Sequence, residues 1–431
     1  MIFIKYFFAV FILLNCNTVK AQNIYFPPLS STANWDTLSP ASLGWCPNRI
    51  DSLYRFLEEQ NSKAFIVLKD GKIVLEKYFG SFTKDSTWYW ASAGKTITAF
   101  LVGKAQEDGL LSINDSSSKY LNIGWTKCTP QQEANIKIRN QLTMTTGLDD
   151  GVSNNHCTLD TCLKFMAPAG NRWAYHNAPY TLLEKVLTTA TSQNINVYTQ
   201  TALKNKTGIT GAWFTVDYDN VFFSKARSMA RFGLLSQNKC SWNTDTLIRD
   251  TGYVNQQYKT SQSLNNSYGY LWWLNGKSSY MIPGSQLIIP GSYAPAAPGD
   301  MYAAIGKNGQ IASISPGKGL VVIRMGDAPG SFIEVPTIFC SQIWERLTYV
   351  MCSSADNTYE FTGNGNWNIA ANWKKQCIPP TVLGNEATII INPVVNGECV
   401  LNITQVIGKA ASLNVLPGKQ LRIPGNLIMN Q

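Results

Sequence analysis

Two groups of strand-like segments, separated by a long and mainly helical stretch, constrain the fold of this chain most strongly. Near the start, residues 64–68 and 72–76 flank Asp70-Gly71, a pair that is typical of a tight hairpin turn. Strand patterns return late in the chain, at residues 268–274, 301–306, 310–315 and 320–325. We expect the early hairpin and the late strands to form one antiparallel sheet.

Helical patterns lie outside and between these strands. Residues 47–62 predict an amphipathic helix before the hairpin, and residues 336–351 predict a closing apolar helix. Further helices are predicted at residues 92–107, 136–144, 180–189 and 224–235. The fold class expected is therefore α/β (α+β): an antiparallel sheet flanked by helices, with a mainly helical subdomain inserted between its two halves.

The first residues have the pattern of a removable leader. Residues 1–21 begin with a short positive segment, continue with an apolar run at 6–14, and end on a small-residue site at Ala21. The apolar run is too short to span a membrane. An alternative is lipidation at Cys16. Either interpretation predicts an exported protein, located in the periplasm, at the cell surface or in the medium.

A change in composition after Cys352 predicts a second unit. Residues 353–357 are polar and serve as a linker, and the rest is strand-like with Gly, Asn and Pro between the strands. We expect a main domain at 22–352 and a small all-β module at 353–431, either a sandwich or a piece of β-solenoid. Trp367 and Trp373 suit burial in a small core, and the alternative is a glycan-binding or surface-attachment role.

Ten cysteines and two histidines limit the metal and redox chemistry of the chain. Local spacing predicts three disulfides, Cys157–Cys162, Cys340–Cys352 and Cys377–Cys399, and the alternative is that several cysteines are small buried apolar residues. Because no paired Cys-x-x-Cys motif is present, we expect no metal site. The net charge of +9 is modest for 431 residues and has no basic run interleaved with aromatics, so nucleic acid is not an expected partner.

One short stretch carries chemistry. Ser92 and Lys95 are three residues apart at the start of a predicted helix, and that spacing places both side chains on one face. The first turn of a helix offers free N–H groups and a partial positive charge. There a serine can have an oxyanion donor in its own N–H, and a partly buried lysine can act as a base. Alone, Ser-x-x-Lys is a weak signal, because many solvated helix faces contain it.

A second stretch adds two polar groups. Tyr175 and Asn177 point the same way if their backbone is extended or a turn. The tyrosine could move a proton, and the asparagine could hydrogen-bond both a lysine and a substrate amide. The alternative interpretation is a buried aromatic ring followed by a capping asparagine.

The third stretch is Lys307-Asn308-Gly309-Gln310, between two late strands. A lysine flanked by glycines on a strand can bring its charge and the backbone close to a substrate. The alternative is an ordinary hairpin, because Asn308-Gly309 is itself a turn signature.

In this order, the three motifs resemble those of the serine β-lactamase and penicillin-binding-protein superfamily. The Tyr175-x-Asn177 motif is similar to that of class C β-lactamases, D-aminopeptidases, β-lactamase-fold esterases and 6-aminohexanoate-dimer hydrolases. Residues 95–101 and 141–148, and Trp173 just before the tyrosine, also resemble this branch. The resemblance implies an antiparallel sheet flanked by helices over roughly residues 45–350.

The resemblance implies a role for each matched residue. Ser92 would be the nucleophile, Lys95 its activating base, and Tyr175 a general acid and base. Asn177 would orient the substrate. The reaction would be acylation of Ser92 followed by hydrolysis, with no metal and no cofactor.

The third motif implies the binding groups. Lys307 would supply positive potential, Gly309 would belong to the binding strand, and the N–H of Gln310 would join that of Ser92 in an oxyanion hole. The motif departs from the family pattern because Asn308 replaces a threonine, and Gln310 is bulkier than the usual small residue. His176 also stands where a small residue is common.

The sequence thus favours an exported serine hydrolase acting on an ester or amide of a small molecule or peptide. The alternatives are a non-hydrolytic binding or sensor protein on the same fold, and a protein that acts through its C-terminal module. Loops near residues 149–162 and 284–300 are expected to line the pocket. Trp90, Tyr270, Trp272 and Trp273 are either core residues, which is their default role, or part of its border.

We predict weak or absent β-lactam turnover, because the third motif lacks a hydroxyl and carries the bulky Gln310. The purified protein should hydrolyse nitrocefin no faster than its Ser92→Ala variant. Efficient nitrocefin turnover by the wild type alone would contradict this prediction.

Overall fold

The computed structural model describes residues 24–30, 33–330, 335–352, 358–374, 378–383 and 387–430. The predicted leader, the polar linker at 353–357 and Cys377 lie outside these ranges, so the leader and the pairing of Cys377 with Cys399 stay predictions. Within the described ranges, no helix combines the length and the apolar character that a bilayer crossing requires.

The α-helices of the described residues are numbered in chain order, and several are a single turn or little more. From α1 to α12 they are Ile50–Glu59, Lys95–Glu107, Ser118–Leu121, Pro130–Ala134, Ile138–Leu142, Asn177–Thr181, Leu183–Thr191, Ile195–Thr199, Asn205–Thr207, Ala226–Gln237, Thr251–Gln257 and Thr337–Val350. A π-helical turn covers Gln200–Lys204, and 3-10 turns cover Pro40–Leu43, Pro47–Arg49, Ala91–Gly94, Asp160–Cys162, Lys307–Gly309, Pro316–Lys318 and Ala370–Asn372.

The strands before residue 330 are numbered in the same way. From β1 to β13 they are Ser62–Lys69, Lys72–Tyr78, Thr87–Tyr89, Ala212–Val216, Asp219–Lys225, Ser241–Trp242, Asp245–Thr246, Trp273–Leu274, Ser279–Tyr280, Ile289–Pro290, Tyr302–Gly306, Gln310–Ser315 and Leu320–Gly326. Six of them form the main sheet, in the order β2-β1-β13-β12-β11-β8, and every pair in it is antiparallel.

The main sheet joins the early hairpin to the late strands. Strand β1 pairs with β13 from Ser62 opposite Gly326 to Lys69 opposite Leu320. Asp70 and Gly71 both have positive φ, as the predicted hairpin turn requires. The early hairpin and the late strands therefore form one sheet, as the sequence predicts.

Helices cover both faces of this sheet. Alternate residues of a strand face opposite sides, and Gly233 of α10 lies against Val321 and Ile323 of β13. On the other face, the indole N–H of Trp344 in α12 donates to Ser313 Oγ, which lies opposite Val322. The first and last helices, α1 and α12, also contact each other, so the expected packing of both ends on the sheet is confirmed.

The region between the two halves is helical, as expected, but it also contains a sheet that the sequence analysis missed. Strand β3, just before Ser92, pairs with β5, and β5 pairs with β4. Phe222 and Trp213 in these strands are buried. The short loop between β4 and β5 carries polar residues that offer no hairpin pair such as Asn-Gly, and this explains the omission.

The predicted strand at 268–274 is wrong over most of its length. Leu271 has a φ of 62°, and Tyr268 forms an antiparallel bridge with Trp273, so the segment folds back on itself. Only Trp273–Leu274 joins the main sheet. A run of large aromatic residues fits a buried turn as well as a buried strand, because both exclude water from the rings.

Two disulfides are present among the described cysteines. Cys157–Cys162 confirms the predicted local pair. The predicted Cys340–Cys352 pair is wrong, because Cys352 bonds Cys46, with the Cα atoms 5.8 Å apart, and Cys340 is a buried free thiol. A helical rise of about 1.5 Å per residue leaves Cys340 and the end of α12 far beyond disulfide range.

After residue 357 the chain forms a small parallel β-solenoid. Strands β14 to β22 are Thr358–Phe361, Gly365–Asn366, Val382–Leu383, Thr388–Ile391, Glu398–Val400, Thr404–Ile407, Ser412–Val415, Gln420–Arg422 and Asn426–Met429. They stack as three parallel ladders, β14-β17-β20, β15-β18-β21 and β16-β19-β22. This confirms the solenoid alternative.

The tryptophans of this solenoid form its core. Trp367 and Trp373 are buried, with ring centroids 4.8 Å apart, and Phe361 packs on Trp373 at 5.2 Å. Buried rings cannot present a stacking face to a sugar, so the burial interpretation of these two residues is confirmed.

A tight contact between α2 and α11 leads to the first stability prediction. A Cβ at Gly103 would lie 2.2 Å from the ring of Tyr253, whose hydroxyl donates to Ala99 O at 2.6 Å. Alanine is the better helix former by about 1 kcal/mol, but overpacking costs about 1–3 kcal/mol. We expect Gly103→Ala to lower the free energy of unfolding, as measured by urea denaturation.

A second background tests the cause. In a Tyr253→Leu variant the clash is reduced, so Gly103→Ala should cost less there than in the wild type. Equal losses in both backgrounds would contradict the packing explanation.

Candidate active site

Ser92 lies in a constrained turn at the entrance to helix α2. The turn Ala91–Gly94 is a 3-10 segment, and Ala91 has a φ of 47°, a left-handed conformation that is costly for a residue with a side chain. Trp90 fixes the turn from below: its backbone N–H donates to Phe222 O at 2.8 Å and its indole N–H to Ser224 Oγ at 2.7 Å. The missed strand β5 therefore supports the serine.

Strand β11 passes directly beside this turn. A Cβ at Gly306 would lie 2.5 Å from Trp90 O, 2.8 Å from Ala93 N and 3.0 Å from Ser92 N. Any side chain at 306 would therefore separate the strand from the serine. The sequence motif points to Gly306 only as a neighbour of Lys307, although a glycine inside a strand is itself a signal of close backbone approach.

Lys95 is buried one turn after Ser92, with 3% of its surface exposed. Its Nζ donates to Asn177 Oδ1 at 2.9 Å. The same nitrogen lies 3.6 Å from the centroid of the Tyr180 ring and 5.4 Å from that of Tyr175. The structure thus brings Ser92, Lys95, Tyr175 and Asn177 together, as the sequence predicts.

Tyr175 stands behind this group rather than in the open cavity. Its ring is buried and stacks on Trp273 at 5.8 Å, with Trp173 and Tyr268 also in contact. Trp273 and its neighbour Trp272 are buried core residues, as are Trp90 and Tyr270. The default interpretation of these four aromatics is therefore correct.

Asn177 begins helix α6 and has partners on both sides of its amide. Its Nδ2 lies 3.1 Å from His156 Nε2 and 3.2 Å from Asn155 Oδ1. His156 Nδ1 in turn lies 2.6 Å from Asp219 Oδ2. His156 and Asp219 were not predicted as members of the site, because no sequence motif links a loop residue to a strand that was itself not predicted.

His176, between the two motif residues, is buried, and neither ring nitrogen has a hydrogen-bond partner among the described residues. Burial lowers the pKa of His176 to about 4, against weaker opposing effects of Asp150 and Asp149. The imidazole is therefore neutral at physiological pH.

The third motif is a hairpin turn that also borders the cavity. Asn308 and Gly309 both have positive φ, and Asn308 Nδ2 donates to Tyr89 Oη at 2.7 Å. Lys307 lines the cavity. Both interpretations of the motif are therefore compatible with the structure.

Gly309 and Gln310 are not among the residues described as lining the cavity. The Gln310 side chain is buried, donates to Gly326 O at 2.7 Å and accepts from Gly326 N at 3.1 Å. A Cβ at Gly309 would meet Arg324 and Phe339. The Gln310 side chain and Gly309 thus support the turn, and neither residue is among those that line the cavity; the oxyanion role expected of the Gln310 backbone N–H stays a prediction.

The cavity has a volume of about 360 Å³ and a lining of mixed polar and apolar character. It is lined by Tyr89, Ala91, Ser92, Lys95, Asn154, His156, Asn177, Tyr180, Asp217, Tyr218, Asp219, Asn220, Val221 and Lys307. The predicted loop at 149–162 contributes to it, whereas the loop at 284–300 does not. The described residues contain no cluster of His, Cys, Asp and Glu that could hold a metal ion.

The arrangement resembles known proteins in sequence and fold. The family model described as Beta-lactamase matches residues 56–331. An uncharacterised protein of Alkalihalophilus pseudofirmus is 22% identical over 319 residues, covering 64% of this chain and 86% of that protein.

Two solved structures share the fold. One is assigned as a 6-aminohexanoate-dimer hydrolase from Bacillus anthracis, with a TM-score of 0.56, 16% identity, and coverage of 76% of this chain and 89% of that one. The other is a penicillin-binding-protein homologue from Caulobacter crescentus, with a TM-score of 0.55, 12% identity, and coverage of 72% and 99%.

The contact between Gly306 and the serine turn can be tested by adding one methyl group. Gly306→Ala would force β11 away from Ser92 N, and displacement of reacting groups by about 1 Å can cost about 100-fold in rate. We expect the rate of covalent labelling of Ser92 by a fluorophosphonate to fall by about 10- to 100-fold.

Gly299→Ala is the matched control, because a Cβ there meets no atom closer than 4.0 Å. Its labelling rate should equal that of the wild type. An unchanged rate in Gly306→Ala would show that the close approach has no bearing on the reactivity of the serine.

Proposed function

This chain belongs to the β-lactamase family, and from that premise we propose that it is a serine hydrolase that cleaves an ester or amide through an acyl-enzyme on Ser92. The observation that carries the proposal is the position of Lys95. Its buried Nζ is held by Asn177 one helical turn from Ser92, in a cavity that Ser92 also lines. A base within reach of a hydroxyl is the requirement for an activated nucleophile.

The first half of the reaction forms the acyl-enzyme. Ser92 Oγ attacks the substrate carbonyl carbon while its proton passes to Lys95, with Tyr175 in the proton path. The C–N or C–O bond then breaks, and the amine or alcohol leaves with that proton. The acyl group remains on Ser92 as an ester.

The second half restores the enzyme. Water attacks the ester carbonyl, its proton passes to the Lys95–Tyr175 pair, and Ser92 Oγ leaves and is reprotonated. The products are a carboxylic acid and free enzyme. These steps need no metal and no cofactor.

We propose that the N–H groups of Ser92 and Lys307 bind the developing oxyanion. Gly306 holds β11 against Ser92 N, and the next residue, Lys307, borders the cavity. We choose Lys307 in place of Gln310 as this donor, because Gln310 lies on the neighbouring strand β12, opposite Gly306. Donors that are fixed before the reaction stabilise an oxyanion without reorganisation.

The lining of the cavity favours a small polar substrate. Lys307 offers a positive charge to a substrate carboxylate, and the exposed Asp217 offers a negative charge to an amine. An amide with charged ends would satisfy both. The name of the Bacillus anthracis neighbour, a 6-aminohexanoate-dimer hydrolase, is in keeping with this substrate class.

We also propose that the protein is exported. The leader pattern at residues 1–21 supports this, and so do the disulfides Cys46–Cys352 and Cys157–Cys162, because disulfides persist in oxidising compartments.

Intact-mass spectrometry tests the proposed nucleophile. The mature protein is treated with a fluorophosphonate and, separately, with p-nitrophenyl acetate, beside Ser92→Ala and Lys95→Met. We expect one adduct and ester turnover in the wild type, neither in Ser92→Ala, and a reaction slower by at least about 100-fold in Lys95→Met, which is the lower end of the range for general-base catalysis.

The outcomes separate the candidate functions. An acetyl-enzyme that accumulates without turnover would identify an acylated binding protein instead of a hydrolase. An adduct that persists in Ser92→Ala would place the nucleophile elsewhere and refute the proposal.

A further inference from the structure

The Asn177 carboxamide is held between two groups that fix its orientation. The Lys95 ammonium can only donate, and the neutral amine that takes the Ser92 proton still has two N–H groups to donate, so the atom facing Nζ at 2.9 Å is the amide oxygen. The amide nitrogen then faces His156 Nε2 and Asn155 Oδ1. Because that nitrogen only donates, His156 Nε2 must accept, and the imidazole must be neutral with its proton on Nδ1.

Asp219 selects this form of the imidazole. Its Oδ2 lies 2.6 Å from His156 Nδ1, where a carboxylate accepts a hydrogen bond from the ring N–H. Burial alone would raise the pKa of Asp219, but the contact with His156 and the charge of Lys95 bring the pKa below its ordinary value. Asp219 is therefore ionised wherever the enzyme is folded near neutral pH.

His156 is held in place from several directions. The next residue, Cys157, is bonded to Cys162. The His156 N–H donates to Asn154 Oδ1 at 3.0 Å, and the N–H of Ala178, next to Asn177, donates to Asn155 O at 2.9 Å. The loop and the start of α6 thus form one unit, with the imidazole fixed against the amide.

We propose that His156 and Asp219 are positioning residues that set the orientation of Asn177, and through it of Lys95, and that protonation of His156 disables the site at acid pH. The inference rests on the proposed function. A protonated His156 carries N–H on both nitrogens, so its Nε2 would face the amide N–H donor to donor. The amide must then turn over, and its NH2 group would face the Lys95 ammonium, leaving the lysine without this acceptor.

The charges around His156 come from several elements. Asp219 on β5 contacts the ring, and Lys95, Asp217 and Lys307 line the same cavity. His176 lies just before α6, with Asp149, Asp150 and Arg172 around it. Arg172 pairs with Asp150 at 2.6 Å. Because His176 stays neutral until about pH 4, it adds no charge to the site over the range in which an ordinary histidine titrates, about pH 5 to 8.

Labelling of Ser92 by a fluorophosphonate, followed from pH 5 to pH 8.5, tests the proposal in the full-length mature protein. In the wild type we expect the rate constant to fall on the acid side by about tenfold per pH unit. In His156→Gln, whose amide oxygen can still accept from Asn177 but does not titrate, that fall should disappear. His156→Ala, which offers no acceptor, should be slow at every pH.

Two more variants test whether the His156–Asp219 contact, and not the other histidine, controls the rate of labelling. Asp219→Asn removes the carboxylate that accepts a hydrogen bond from His156 Nδ1, so the imidazole loses its fixed tautomer and labelling should be slower than in the wild type at every pH. His176→Gln removes the other histidine and should leave the profile where it is in the wild type. A profile that is unchanged in His156→Gln, or abolished in His176→Gln, would overturn the proposal.

A second measurement does not depend on catalysis. The chain has two histidines, so histidine labelled with nitrogen-15, in a protein carrying a histidine-free tag, gives two ring systems that His156→Gln assigns. We expect neutral His156 to carry its proton on Nδ1. If Ser92 fails to label at all, the proposed hydrolase is wrong. The spectrum still tests the proposed hydrogen bonds of His156, because a proton on Nε2 would refute them.

Discussion

The pairing of β1 with β13 is the constraint on which the rest of the domain depends. It joins Ser62–Lys69 to Leu320–Gly326, two segments at opposite ends of the main domain. The chain between them leaves the sheet after β2 and returns to it at β8. The turn that carries Ser92 follows the early hairpin, and the turn at Lys307–Gly309 precedes β12, so the pairing brings two distant pieces of chain to one cavity.

Arg324, buried on β13, stabilises the contact between β1, β13 and the turn at Lys307–Gly309. Its guanidinium donates to Ser62 Oγ on β1, to the carbonyls of Asn308 and Gly309 in the turn, and to those of Gln60 and Asp327. A buried charge is costly unless its hydrogen bonds are made, and here all of its donors point at fixed acceptors. One side chain therefore ties the first strand, the last strand and the Lys307 turn together.

Sequence patterns were sufficient for the parts of the fold that depend on local periodicity. The Asp70-Gly71 hairpin, helices α1, α2 and α12 and strands β11 to β13 were predicted within a few residues, because each is a stretch rich in apolar residues with a turn signal at one of its ends. The motif residues Ser92, Lys95 and Asn177 were found because they lie in short stretches with a shared chemistry.

What the sequence did not show depends on distance in three dimensions. Cys46 bonds Cys352 because α1 and α12 pack together, and no spacing rule joins these two cysteines. Asp219 meets His156 only because β5 pairs with β3 beneath the serine turn. Gln310 follows its motif directly in sequence, but its buried side chain forms hydrogen bonds with Gly326 of the main sheet. Residues of a strand alternate between its faces, so adjacency to a motif does not fix the direction of a side chain.

The bond between Cys46 and Cys352 also affects how the chain responds to tension. It encloses the whole of the main sheet in one covalent loop, and the solenoid begins shortly after Cys352. If a tensile force acts on the solenoid while the chain before Cys46 is held, the disulfide transmits that force from Cys352 to Cys46. The force then does not act on the hydrogen bonds of the sheet. Tension along the chain would therefore leave the turn around Ser92 unloaded for as long as that bond is oxidised.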